Sequence, residues 1–92
     1  MKELQKQFTG IGQVKGYEFT QMKATDYAFM YEVSKDDTLH YEIFKRKENT
    51  RFNTVSYPTD KAFGVWAWTT ASLERAEDIF NSIELDAILK EN

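Results

Sequence analysis

The chain has 92 residues, 41% hydrophobic and 29% charged, which fits one folded domain and excludes collagen-like, coiled-coil and disordered sequence. It holds no cysteine and a single histidine, so disulfide frameworks, thiolate metal sites and cysteine nucleophiles are excluded. Net charge is −3, with 8 Lys/Arg against 7 Asp/Glu in residues 1–47 and 4 against 8 in residues 48–92. That balance is opposite to the one used to neutralise phosphates, so nucleic acid is not an expected partner.

The first residues, Met1 to Gln7, contain no apolar run of the secretory type, and they predict at most a short helix over residues 1–8. No apolar stretch approaches the roughly 20 residues of a membrane span. A cytoplasmic protein with no membrane contact is the expectation. Gly10-Ile11-Gly12 precedes a strand and lacks a third glycine, so it is not a phosphate-binding loop.

From residue 12 the apolar positions recur with a period of two. Strands are predicted over about 12–21, 27–33, 39–47 and 51–57. The polar stretch Ser34 to Thr38 reads as a five-residue turn. Pairing Val33 with Leu39, Tyr31 with Tyr41 and Phe29 with Ile43 puts every large residue on one side, where Val14, Tyr17, Phe19, Val55 and Tyr57 join them. Gly16 is the expected site of a bulge that corrects the parity of Val14. Pro58 ends the fourth strand, Asp60 starts a single turn that stops at Gly64, and residues 65–69 form a short fifth strand.

The last segment changes to helical spacing. Leu73, Ala76, Phe80, Ile83 and Ala87 fall on one face, widened by Ile79 and Ile88, which predicts a helix over about 71–89. Thr69, Thr70 or Ser72 supplies the N-cap oxygen. Glu74, Glu77 and Asp78 suit the positive end of the helix dipole and need no metal to explain them. The expected fold is therefore α+β: a single domain over residues 1–92, with a four- or five-stranded antiparallel meander and one C-terminal amphipathic helix on one face.

Chemistry is sparse. The same register sets His40 opposite Glu32 with Glu42 beside it, but general acid–base work also needs a cleft and a nucleophile. The trio reads as a surface ion pair, and no catalytic residue, metal or cofactor is expected. A non-enzymatic interaction module is the leading expectation. Its contact surface is the second sheet face, where Met30, Phe44 and Phe52 make an apolar patch rimmed by His40, Glu42 and Arg46. A homodimer or another protein would cover it, unless Leu4, Phe8 and Ile11 fold over it instead. A second expectation is a small-ligand site around Tyr57, Phe63, Trp66 and Trp68. A third is an acidic decoy for a basic partner, with Glu74, Glu77, Asp78, Glu84, Asp86 and Glu91 set against Arg75 and Lys90.

Overall fold

The computed structural model describes residues 1–91. Its centre is a long hairpin of β3 (Ala28–Lys35) and β4 (Thr38–Lys45). Only Asp36 and Asp37 connect them, and Asp36 takes the left-handed conformation (φ 53°) that aspartate tolerates better than most residues. The five-residue turn predicted here is thus two residues long. Ser34, Lys35, Thr38 and Leu39 extend the ladder instead, and the Thr38 hydroxyl donates to the Lys35 carbonyl at 2.7 Å.

The shorter turn moves the register by one residue. Phe29 pairs with Phe44, Tyr31 with Glu42, and Val33 with His40, in place of Ile43, Tyr41 and Leu39. In a sheet such a slip exchanges the two faces of a strand. The large residues of β3 and β4 are therefore divided between both sides, and the core is two-sided.

β2 (Glu18–Ala24) pairs with β3 and carries a bulge between Gln21 and Lys23; no bulge forms at Gly16, which instead closes a turn at φ 90°. β1 (Gln7–Thr9) adds to β2 where a helix was expected, because Phe8 stacks flat on Phe19, its partner across the strands, at 4.6 Å. Residues 12–14 form a 3-10 turn. On the far side β4 does not meet residues 51–57. Its neighbour is the short strand near residue 67, and the sheet is completed there. β5 (Glu48–Asn49) and β6 (Thr54–Val55) form a separate two-stranded ribbon, and β7 (Ala67–Thr70) pairs with β4. The antiparallel sheet has the order β1-β2-β3-β4-β7.

Helix α1 (Leu73–Glu91) starts where the Arg75 N–H donates to the Ser72 hydroxyl at 3.1 Å. Ala76, Phe80 and Ile83 pack on Ala28, Met30, Tyr41 and Ile43, with Trp68 and Ile79 at the margin. The opposite sheet face presents Phe19, Phe29, Tyr31, Val33 and Phe44. The N-terminal segment and the excursion between β4 and β7 cover it, through Leu4, Phe8, Val55, Tyr57, Ala62, Phe63 and Trp66. The α+β class and the single helix stand as expected, but the helix lies on the face opposite Phe29, Tyr31 and Val33. Leu39 and Val14, expected inside, are 46% and 43% exposed, and Ile88, expected on the buried stripe, is 48% exposed.

Candidate functional site

The expected contact surface does not form. Met30 and Phe44 are both fully buried, and neighbouring pairs in the ladder put them on opposite faces of the sheet. Phe44 lies among the rings of Tyr57 (5.0 Å), Phe29 (5.4 Å), Tyr31 (5.8 Å) and Trp66 (6.4 Å). Phe52 is 66% exposed in the turn of the β5–β6 ribbon, under the Arg51 guanidinium. The register turns Phe44 toward Phe29 and Tyr31, and Phe52 is lost from the patch because its segment forms the separate β5–β6 ribbon and does not pair with β4. Leu4 and Phe8 do fold over this side, while Ile11 stays 83% exposed.

The aromatic group divides as well. Tyr57, Phe63 and Trp66 pack on the Phe44 side, and Trp68 packs on the helix side. The expected site is split because β7 begins at Ala67, so Trp66 precedes the strand that carries Trp68. A shallow hollow of about 230 Å3 does open between Trp68 and α1, lined also by Arg75, Asp78, Ile79, Ser82 and Ile83. It lies below the ~300–1,000 Å3 of ordinary ligand pockets.

His40 and Glu42 share a face, but Glu32 pairs with Tyr41 on the other one. Glu42 accepts a hydrogen bond from the Tyr57 hydroxyl at 2.5 Å, and His40 Nε2 lies 3.4 Å from its second oxygen. Burial, then the Glu42 charge, drives the Tyr57 phenol well above its ordinary range. This trio anchors the excursion to the sheet. Arg46 is an anchor too. Its two terminal nitrogens donate to both Glu3 oxygens at 2.7 Å, and its Nε donates to Glu48 at 2.9 Å. That fork holds the Glu3 carboxyl below its usual value.

These anchors fix the N-terminal segment as a strap. The Lys2 N–H donates to the Asn53 carbonyl and the Lys2 carbonyl accepts from Val55, both at 2.9 Å, which bridges the strap to β6. The Tyr31 hydroxyl donates to the Gln5 carbonyl at 2.6 Å and receives the Gln21 amide at 3.0 Å. Between the strap, β1 and β6 lies a groove of about 540 Å3. Leu4, Phe8, Ile11, Val14, Val55 and Tyr57 form most of its apolar wall, with Lys2, Glu3, Gln5 and Thr54 on the polar side. Gly10 shapes one end. A Cβ there would stand 2.2 Å from the Val14 carbonyl oxygen, so only glycine allows the 10–14 loop to close this tightly.

Of the candidate site residues only Tyr57 lines this groove; Leu4, Phe8 and Ile11 were expected only as a cover for Phe44, and Val14 and Val55 only as core. The groove was missed because the strap reads as a weak helix, and its role depends on Arg46, 43 positions away from Glu3. The local signal was Gly10-Ile11-Gly12, a tight loop carrying one exposed apolar residue. Comparison with protein-family models, with curated proteins and with solved structures gave no match.

Proposed function

We propose that this protein is a non-enzymatic binding module whose working site is the groove under the N-terminal strap. The observation that carries this reading is an apolar concavity of ligand size whose walls are already tied in place. Large, preformed apolar clefts with a few polar groups are where small ligands bind. Ile11 and Val14, exposed at its lip, add apolar surface that a bound molecule would remove from water. Titration with octan-1-ol, followed by amide shifts in a proton–nitrogen NMR spectrum, tests it. Shifts confined to Leu4, Phe8, Ile11, Val55 and Tyr57 support the reading. No shifts, or shifts centred on Trp68 and Ile79, overturn it.

A second reading keeps self-association but relocates it. Leu85 and Leu89, one turn apart on α1 and away from Ile83, are 58% and 63% exposed. Fully burying a leucine contributes about 1.5–3 kcal/mol, against an association cost of several kcal/mol, so two leucines per copy support only a weak dimer. Light scattering across protein concentration tests it. A mass that rises with concentration and falls back in Leu85→Lys supports it, and a constant monomer mass ends it.

A further inference from the structure

We infer that the groove under the strap is built for an aliphatic anion, an acyl chain ending in a carboxylate, with Lys2 at its rim receiving the charge. This rests on the groove being the binding site and adds the class of ligand. The wall from Leu4 to Tyr57 suits an alkyl chain, which needs no hydrogen-bonding partner. The polar rim decides what sits at the end of that chain.

Among the described residues Glu3 is the only carboxylate lining the groove, and the Arg46 fork occupies both of its oxygens. It presents no free negative charge to an incoming anion. Lys2 lines the same rim, and among the described residues neither it nor Lys6 nor Lys15 takes part in an ion pair. Residues 1–17 therefore carry three uncommitted lysines in a chain whose net charge is −3. The Lys35 ammonium adds a fourth cation beside this segment, 5.0 Å over the Tyr17 ring.

The acidic excess lies elsewhere. Glu74, Glu77, Asp78, Glu84, Asp86 and Glu91 are all on α1, which packs on the other face of the sheet. Asp86 shares a hollow with Arg46, the partner of Glu3, but among the described residues none of the six lines the groove. The groove lining thus carries one cation outside any ion pair, Lys2, while the Glu18 carboxylate is engaged by the hydroxyl of the lining residue Thr9. An apolar trough with a cation at its mouth matches a fatty carboxylate better than a neutral or cationic amphiphile.

The experiment compares octanoate with octan-1-ol on the full chain, read by the same amide shifts. At low salt octanoate is expected to bind about three- to fivefold tighter, the worth of one exposed ion pair. In Lys2→Glu, octanoate should bind no tighter than octan-1-ol does to the same variant, and 0.5 M sodium chloride should shrink the preference of the unchanged chain. If both probes bind equally and Lys2→Glu changes neither, the anion inference fails and the groove reading stands. If neither probe shifts the groove amides, the groove reading itself fails. Sedimentation with phosphatidylglycerol vesicles separates a free ligand from a lipid surface. Pelleting with vesicles, without groove shifts from octanoate, overturns the assignment to a free carboxylate.

Discussion

Truncating Phe44 to alanine tests the two-sided core at its most informative point. The ring is fully buried and has four aromatic neighbours within 6.4 Å, all of which belong to different segments of the chain or to the strand beside it. Removing a buried phenylalanine costs about 3–5 kcal/mol, and rigid aromatic surroundings that cannot collapse into the space favour the upper end. A chain of this length has a total stability of about 5–14 kcal/mol. With a urea m-value of about 1 kcal/mol/M, the midpoint should fall by about 3–5 M with little change in slope. Far-ultraviolet circular dichroism against urea measures this. Phe44→Leu gives a graded second point, expected at under about 1.5 kcal/mol if the alanine variant does not fold. Phe52→Ala is the internal control, since that ring is 66% exposed and its loss should stay within about 0.5 kcal/mol. A loss below about 1 kcal/mol for Phe44→Ala, or a larger loss for Phe52→Ala, would refute the register and the burial built on it.

Gly10→Ala should destabilise the protein by about 1–3 kcal/mol, because its Cβ meets the Val14 carbonyl; thermal unfolding measures it. Tyr57→Phe removes the hydrogen bond that satisfies Glu42 and should cost about 1–3 kcal/mol by denaturant titration. Since the Tyr57 phenol titrates higher in the folded state than its ordinary value of 10.0, its contribution is complete below that pH and is lost as pH rises further. Tyr57→Phe should therefore flatten the alkaline fall in stability. Glu3 works in the other direction. Its carboxyl is held below 4.5, so the strap latch is intact above that pH and loosens as pH falls. The protection of the Lys2 amide, its exchange rate relative to that of an unstructured chain at the same pH, should fall on acidification, and Glu3→Gln should make that protection nearly independent of pH.

How far the sequence could be read depends on the range of each signal. The helix was legible because Ala76, Phe80 and Ile83 carry a strong period and Ser72 sits at the right place to cap it. The β3–β4 hairpin was legible as a hairpin, but its register was not. Both faces of β3 and β4 carry large apolar residues, so the rule that one face must be polar could not choose between a two-residue and a five-residue turn. Strand β7 was found, yet its place beside β4 depends on the excursion of residues 46–66 folding away over Phe44, and no local pattern reports that. The groove was the least legible part. Leu4, Phe8 and Val55 acquire a common surface only after Arg46 grips Glu3 and Tyr31 holds the Gln5 carbonyl, contacts with no spacing rule in the sequence.

The order in which the chain is synthesised gives the two-sided sheet a further consequence. By the time residue 45 has emerged, β1 to β4 can pair, and residues 1–9 can begin to cover one side. The other side presents Met30, Tyr41 and Ile43 with nothing to lie on them, and β4 has an open edge until β7 arrives. A bare apolar face beside an unpaired strand edge is the combination most prone to join another chain. The nascent protein is therefore most exposed to aggregation between roughly its midpoint and the emergence of Phe80 and Ile83, and a chain cut short at residue 66 would carry that hazard permanently.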